Sequence, residues 1–170
     1  PKQSEFKAIM LADYPVYKEA LSYPTEAREM ELVFDSKSVN EGFARVAVAA
    51  FMTQLNPTLE EVADVKTAVS EAVTNAIIHG YRGIENKGEV IVEAYIEEDE
   101  LRVSITDYGV GIRDLPRAME PLYTTAPEEE RSGMGFAFME AFMDTLLVSS
   151  KPGETIVRMS KRFGKDESDV

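Results

Sequence analysis

The stretch Glu71-Ala-Val-Thr-Asn75-Ala-Ile-Ile-His79-Gly80 decides how this chain folds. Glu71, Asn75 and His79 recur every four residues, so on a helix they form one nearly straight polar row. The residues beside that row are apolar and would pack inward: Val65, Val69, Ala72, Val73, Ala76 and Ile77. A half-buried carboxylate and amide one turn apart cost free energy unless something binds them. The row therefore predicts a site for Mg²⁺, a phosphate or a hydroxyl to be deprotonated, with a solvated helix face as the alternative.

Two glycine-rich stretches follow later in the chain. Asp107-Tyr-Gly109-Val-Gly111 comes after an alternating strand, and Arg131-Ser-Gly133-Met-Gly135-Phe136 opens an apolar helix. Glycines let a ligand approach the backbone without a Cβ in the way, and free N–H groups at a helix N-terminus bind phosphate anions. Each glycine pair alone is an ordinary turn signal. The order of the three motifs is far more specific than any one of them.

The chain contains three motifs in a fixed order: Glu-x-x-x-Asn, Asp-x-Gly-x-Gly and Gly-x-Gly. This order resembles that of the Bergerat (GHKL) ATP-binding fold. Within that fold family, the residues of the motifs are most similar to the anti-sigma-factor serine kinases of the anti-sigma-F type, which are known from sporulation. The stretches with that resemblance are Phe43-Ala-Arg-Val46, Val69 to Tyr81 and Glu130 to Phe136. The resemblance extends over roughly residues 30–163 and does not include the N-terminal residues.

The resemblance implies a role for each motif residue. Asn75 would hold Mg²⁺, and Glu71 would be the general base that faces an incoming hydroxyl. Asp107 would accept a hydrogen bond from the adenine amino group, and Arg131 would reach the γ-phosphate. The other residues assigned to the nucleotide are Gly109, Gly111, Ser132, Gly133, Gly135 and Thr155. His79 is interpreted as a structural residue at the helix end.

The resemblance also implies partners. It predicts a homodimeric, cytoplasmic protein-serine kinase that sequesters a sigma-F-like sigma factor and phosphorylates an anti-anti-sigma protein, with Arg45 as a docking residue shared by both. One alternative is a stress-response anti-sigma kinase of the same family. Another is a nucleotide-gated binding module without phosphoryl transfer. A third, an ATPase of the gyrase or MutL kind, would place this domain in a longer chain.

Composition narrows the class of protein. The chain has 170 residues, 44% of them hydrophobic and 29% charged, as expected for one globular domain. Its formal charge of −13 opposes direct binding to nucleic acid and favours partners with basic patches. It contains no cysteine and no apolar run long enough to span a bilayer, which favours a cytoplasmic protein without membrane contact.

The order of elements predicts an α/β (α+β) two-layer sandwich, with helices on one face of a mostly antiparallel sheet. Residues 1–28 are interpreted as an extension of uncertain origin, residues 29–163 as the kinase domain and residues 164–170 as a charged tail. Residues 120–132 lack periodicity and are interpreted as a lid.

The first helix is predicted over Val39–Leu55. Its apolar stripe is assigned to the interior: Phe43, Val46, Ala47, Ala50, Phe51 and Leu55. Arg45 lies off that stripe and is expected to point outward.

Overall fold

The structure is a computed structural model that describes residues 28–85, 88–120 and 135–164. Three expectations lie outside these residues and stay predictions. They are the N-terminal extension, the lid after Glu120 and the charged tail from Lys165.

The sheet has five strands in the order β1-β2-β3-β5-β4, and each neighbouring pair is antiparallel. The strands are β1 (Arg28–Asp35), β2 (Glu89–Glu97), β3 (Glu100–Asp107), β4 (Thr145–Lys151) and β5 (Glu154–Arg162). Two hairpins, β2–β3 and β4–β5, meet where β3 pairs with β5. The predicted antiparallel sheet is confirmed. Alternation over residues 89–97 and 101–107 predicts an antiparallel hairpin, which the structure contains as β2–β3. Glu31-Leu-Val-Phe34 predicts a short strand, whereas β1 extends over Arg28–Asp35.

The helices are α1 (Val39–Met52), α2 (Leu59–Asn75), α3 (Leu115–Ala118) and α4 (Gly135–Phe142). A 3₁₀ turn at Thr53–Leu55 extends α1, and a π-helical turn at Ala76–Gly80 extends α2. Thr58-Leu-Glu-Glu61 predicts a capping box at the start of α2, and the structure contains it. Glu61 N–H donates to the Thr58 hydroxyl at 3.1 Å, and Thr58 N–H donates to the Glu61 carboxylate at 3.0 Å. These bonds satisfy donors that the first helical turn leaves free.

The apolar core lies between the helices and one face of the sheet. Alternate residues of β2, among them Val92 and Ala94, pack there against Val65, Val69 and Val73 of α2. This arrangement confirms the two-layer sandwich with its helices on one face. Among the described residues, no helix is long and apolar enough to cross a membrane.

The inward face of α1 differs from the predicted one. Ala44, Val48 and Met52 are fully buried, whereas Phe43 is 61% and Val46 is 56% exposed. The prediction is wrong for these two residues and for Ala50, which is also exposed. Both faces of α1 are apolar, so hydrophobic spacing cannot choose between them. Small Ala44 and Val48 allow α1 to approach its neighbours closely, which is a packing property rather than a periodic one.

Arg45 lies off the buried face of α1 and is partly exposed. Its side chain is 41% exposed, and its Nε lies 3.8 Å from the carboxylate of Glu41, one turn earlier on α1. The same carboxylate accepts a hydrogen bond from the hydroxyl of Ser70 on α2. The arginine therefore lies along the junction of the two helices, partly open to solvent.

Candidate active site

A cavity of about 610 Å³ opens between the C-terminal end of α2 and the sheet. This volume is in the usual range for small-molecule sites. Five of the residues that the sequence assigns to the nucleotide line it: Asn75, Asp107, Gly111, Gly135 and Thr155. The three motifs, which are far apart in the sequence, therefore meet in one place.

Asp107 ends strand β3 on the cavity wall and is 4% exposed. Gly109 N–H donates to its Oδ1 at 3.0 Å. Thr155 is its register partner on β5, so the carboxylate and the hydroxyl lie side by side. Burial raises the pKa of Asp107 to about 6, and the Gly109 hydrogen bond offsets part of that rise. A pKa of about 6 leaves the carboxylate mostly ionised at neutral pH, so it can accept hydrogen bonds from a ligand in the cavity.

The π-helical turn at the end of α2 places the backbone against this carboxylate. A methyl group at Gly80 would lie 2.6 Å from Oδ1 of Asp107. The Gly80 carbonyl accepts a hydrogen bond from Val110 N–H at 2.7 Å, beyond the end of β3. The sequence predicts an α-helix through His79, because hydrophobic spacing cannot distinguish one wide turn from an α-helical one. Wide turns of this kind are often found at functional sites.

Gly109 packs against this turn. A methyl group at Gly109 would lie 1.6 Å from the Gly80 carbonyl oxygen. The sequence assigns Gly109 to the nucleotide, but its described contact is with the backbone of the helix end. We conclude that glycine is required at position 109 so that the loop after β3 can close onto α2.

Gly111 continues the same loop with a φ of +79°, a conformation that favours glycine. A methyl group there would lie 2.4 Å from the Lys151 carbonyl oxygen. The next residue, Ile112, donates its N–H to the Ser150 hydroxyl at 2.8 Å, and that hydroxyl is 2.7 Å from the Thr155 hydroxyl. The loop is therefore fastened to the β4–β5 hairpin beside Thr155.

Tyr81 is a positioning residue that the sequence analysis missed. It is 2% exposed and accepts a hydrogen bond from Tyr108 N–H at 2.9 Å. Burial raises the pKa of its phenol, which keeps its proton and donates it to the Glu89 carbonyl. Tyr81 thereby ties the end of α2 to both β2 and β3. A tyrosine after a helix stop has no distinctive pattern, so only the fold reveals this role.

The other end of the cavity joins Asn75 to the start of α4. A methyl group at Gly135 would lie 3.0 Å from the amide nitrogen of Asn75 and 3.3 Å from Oε2 of Glu71. Glycine at this position keeps space open in front of the amide and the carboxylate. Arg131, Ser132 and Gly133 lie outside the described residues, and their assignments stay predictions.

Besides Asp114 at the start of α3, three further polar side chains line the cavity. Two are cations that the sequence analysis did not select, Arg82 and Arg113. The third is His79, which the sequence analysis interpreted as a structural residue at the helix end. Positive side chains suit a ligand with phosphate groups.

Glu71 also lines a second, smaller cavity of about 300 Å³ on the other side of α2. Arg45, Lys66 and Ser70 line it as well. Glu71 is half-buried, and its carboxylate approaches Gly135 of the first cavity while its side chain borders the second. The glutamate therefore lies at the boundary between two spaces.

The donor set suits Mg²⁺ but not a closed metal site. Among residues 28–85, 88–120 and 135–164, no group of three or more His, Asp or Glu side chains could hold a metal ion. The Asn75 amide can supply one oxygen beside Gly135, where the backbone leaves room. Mg²⁺ usually takes one or two protein oxygens and completes its shell with phosphate and water. The residues present therefore fit an ion that arrives with a nucleotide.

Known proteins resemble this chain over most of its length. Residues 34–161 match the family model of histidine kinase-like ATPase domains. An anti-sigma F factor of Clostridium botulinum (strain Eklund 17B / Type B) is 60% identical over 136 residues, which cover 79% of this chain and 94% of the relative. An anti-sigma F factor of Thermoanaerobacter sp. (strain X514) is 57% identical over 140 residues, which cover 81% of this chain and 96% of the relative.

Solved structures agree on the fold. The crystal structure of the RsbU and RsbW domains of Rv1364c from Mycobacterium tuberculosis aligns with a TM-score of 0.60 and 21% sequence identity. The alignment covers 81% of this chain and 33% of that one, so this chain spans about a third of its neighbour's length. The likeness confirms the predicted fold class.

Proposed function

Because this chain belongs to the histidine kinase-like ATPase family, with anti-sigma F factors among its relatives, we propose that it is an anti-sigma factor and an ATP-dependent protein-serine kinase. In this proposal it sequesters a sigma-F-like sigma factor and phosphorylates a serine of an anti-anti-sigma protein. It thereby controls transcription during sporulation.

The position of Glu71 between two cavities is the observation that supports transfer to a protein. The first cavity has the size and donor groups for a nucleotide, and the second is open to solvent beside Arg45. A serine that entered past the second cavity could bring its hydroxyl within reach of both the Glu71 carboxylate and the γ-phosphate. A general base must lie within hydrogen-bond reach of the hydroxyl from which it takes a proton. A protein that merely bound nucleotide would have no use for a carboxylate there.

The proposed reaction uses the described residues as follows. Asp107 and Thr155 bind the adenine end of ATP, while Asn75 and Gly135 border its phosphates. The Glu71 carboxylate takes the proton of the serine hydroxyl as the serine oxygen bonds to the γ-phosphorus. The bond between that phosphorus and the bridging oxygen breaks, and ADP leaves with the bond's electron pair. Positioning and charge stabilisation are the main contributions of a protein to such a transfer.

Three contributions to the phosphates rest on the family resemblance. Arg131 would meet the γ-phosphate, and Ser132 and Gly133 would donate to phosphate oxygens ahead of α4. Mg²⁺, held by Asn75 and the phosphates, would neutralise charge that develops during transfer.

A transfer assay tests the proposal directly. The purified chain is incubated with ATP, Mg²⁺ and an anti-anti-sigma protein, and phosphoserine is measured by mass spectrometry. We expect one modified serine, and a sigma factor that is released as the unmodified antagonist is added. ATP-dependent sigma binding without phosphoserine would favour the nucleotide-gated binding module. Capture of a stress-response sigma factor in place of sigma-F would favour the other branch of the family.

A row of exposed apolar residues on α1 supports a protein partner near Arg45. Val39 is 78% exposed, and Phe43 and Val46 follow it at helical spacing with more than half of their surfaces exposed. Contiguous apolar surface beside an arginine is typical of protein interfaces. We propose that the sigma factor and the anti-anti-sigma protein use this face in turn.

Arg45→Glu is expected to weaken sigma-factor binding by about 30-fold or more, since truncation of an interface arginine often costs about 2 kcal/mol. ATP affinity should stay within about twofold of the parent, because Arg45 does not line the nucleotide cavity. Arg162→Glu is a matched control, as Arg162 is also partly exposed, at 54%, and lies on β5. Titration calorimetry with each partner and with ATP checks both variants. Equal binding by Arg45→Glu and Arg162→Glu would reduce Arg45 to a surface charge.

ATP affinity is expected to fall below about pH 6, because adenine's amino group donates and a protonated Asp107 accepts poorly. The loss approaches tenfold per pH unit if the ionised form alone binds. Calorimetry from about pH 5 to pH 8 checks this profile. Asp107→Asn should bind ATP more weakly, and its ATP affinity should no longer change near pH 6. This variant therefore separates titration of Asp107 from titration of ATP itself. A profile that persists in Asp107→Asn would assign the titration to another group.

The contribution of Asp107 to the free energy of unfolding of the nucleotide-free protein should change with pH in the opposite direction to ATP affinity. The folded-state pKa of Asp107 is raised above its ordinary 3.8, so the folded protein holds this proton more tightly than the unfolded chain. The contribution of Asp107 to the free energy of unfolding therefore falls as pH rises from about 4 to about 6.

We also propose that the chain acts as a homodimer in the cytoplasm and does not bind nucleic acid directly. Residues 29–163 would be the kinase domain, preceded by an extension and followed by a short charged tail.

A further inference from the structure

The face of the sheet that is turned away from the helices is buried at its centre. Ile91, Tyr95 and Ile156 are 4%, 1% and 8% exposed, yet they belong to no part of the core on the helix side. Successive residues of a strand point to opposite faces. Since Val92 and Ala94 contact the helices, Ile91 and Tyr95 lie on the other face.

Strand register joins these residues into one strip. Ile91 of β2, Thr106 of β3 and Ile156 of β5 are neighbours across three strands, and Thr106 is fully buried. Tyr95 lies four residues further along β2, on the same face, and is opposite Glu29 of β1. We refer to Ile91, Tyr95, Thr106 and Ile156 as the outer strip.

Burial of the outer strip is local. On the same face, β4 presents Leu147 with 60% of its surface exposed, and Ser149, the register partner of Ile156, is exposed too. Burial also raises the pKa of Tyr95 to about 12. Among the described residues, the helices that pack on the sheet do so through the opposite face. The described helices therefore do not account for the burial of the outer strip.

We propose that the N-terminal segment, residues 1–27, covers the outer strip. The described chain begins at Arg28, and the next residue, Glu29, is the register partner of Tyr95. The segment therefore joins the described chain at the edge of the outer strip. Neighbouring strands are about 4.8 Å apart, so the strip from β2 to β5 is on the order of 10 Å wide. A few residues at about 3.3 Å each can cross it.

The composition of the segment suits this surface. It contains a series of large apolar side chains that would otherwise face water: Phe6, Ile9, Met10, Leu11, Tyr14, Tyr17 and Leu21. Its charged side chains are of both signs, three lysines and four acidic residues. Its apolar side chains complement the two isoleucines and the tyrosine of the outer strip. The segment also precedes the family match, which begins at residue 34.

Thiol accessibility in the full chain tests this assignment, because the parent contains no cysteine. Ile156→Cys reports on the strip, Leu147→Cys on exposed surface of the same face, and Val92→Cys on the helix-side core. We expect Ile156→Cys to react with a maleimide at least about tenfold more slowly than Leu147→Cys. Equal rates in the full chain would overturn the proposal.

The segment is then altered within the full chain. Ile9→Asp with Tyr14→Asp should bring the reaction rate of Ile156→Cys to within about twofold of the Leu147→Cys rate. Gln3→Asp with Ser4→Asp adds the same charge at polar positions and should leave Ile156→Cys protected. Val92→Cys should stay unreactive in both backgrounds, which shows that the core is intact. Continued protection of Ile156→Cys beside Ile9→Asp and Tyr14→Asp would overturn the proposal. Protection that falls on dilution would also overturn it, because the cover would then be a second copy of the chain.

A crosslink keeps the test valid if the aspartates loosen the core. Ser149→Cys in the otherwise unaltered chain is labelled with benzophenone maleimide, irradiated and digested. We expect the crosslinked peptide to come from residues 1–27 of the same molecule. A peptide from any other part of the chain, or one from a second copy, would assign the cover elsewhere. These measurements need neither nucleotide nor partner, so their outcome is independent of the proposed kinase activity.

Discussion

Replacing Glu71 by Gln is expected to slow phosphoryl transfer by roughly 10²–10⁴-fold, the usual contribution of a general base. The amide has nearly the shape of the carboxylate but cannot take the proton of the serine hydroxyl. ATP affinity should stay within a few-fold of the parent, because Glu71 lies near Gly135 at the edge of the cavity and does not line its wall. Single-turnover transfer to the anti-anti-sigma protein, with ATP binding measured separately, checks the result.

Glu140→Gln is the matched control, since Glu140 is exposed on α4. It should transfer phosphate at the parental rate. If Glu71→Gln lost ATP binding in proportion to transfer, Glu71 would be a structural residue. If transfer were unaffected, the proton would leave by another route and the assignment of Glu71 as the base would be wrong.

Gly109→Ala is expected to damage both stability and nucleotide binding. The added methyl group would lie 1.6 Å from the Gly80 carbonyl oxygen and 2.2 Å from its carbon, so backbone must move. Movement would break the Val110–Gly80 hydrogen bond and shift the loop that donates to Asp107. Overpacking of this kind costs about 1–3 kcal/mol, and the melting temperature should fall by several degrees. We expect ATP affinity to drop at least about tenfold.

Gly42→Ala separates this effect from glycine replacement in general. Gly42 is the fourth residue of α1, and a methyl group there would meet its nearest neighbour, an Arg45 nitrogen, at 3.8 Å. Alanine in a helix interior should stabilise the protein by about 0.5–1 kcal/mol. Thermal unfolding and ATP titration of both variants check the comparison. A Gly109→Ala protein that melts and binds ATP like the parent would show that the loop closes without this contact.

Local rules predicted the elements on which the site depends. The Thr58–Glu61 capping box and the spacing of Glu71 and Asn75 depend on residues within one or two helical turns. Alternation in β2 and β3 likewise reports on a single hairpin. For these features a short window of sequence contains the whole physical cause.

The features that the sequence did not predict correctly depend on residues that are far apart in the chain. Whether Phe43 or Ala44 faces inward depends on how closely α1 approaches its neighbours, and both faces of that helix are apolar. The wide turn before Gly80 depends on backbone contacts with Gly109, and Tyr81 acquires its role through Glu89 and Tyr108. Such contacts leave no periodic signal in the chain, so they follow from the packed structure alone.

The pairing of β3 with β5 has a consequence for synthesis on the ribosome. β3 is complete at Asp107, but its partner strand ends at Arg162. At about 5–20 residues per second, the emerging chain holds an unpaired apolar strand edge for several seconds. An open edge of this kind can pair with other nascent chains. Since Asp107 and Thr155 come together when this edge closes, a partly made chain lacks a complete wall of the first cavity. The proposed nucleotide binding would therefore begin only after β5 has emerged.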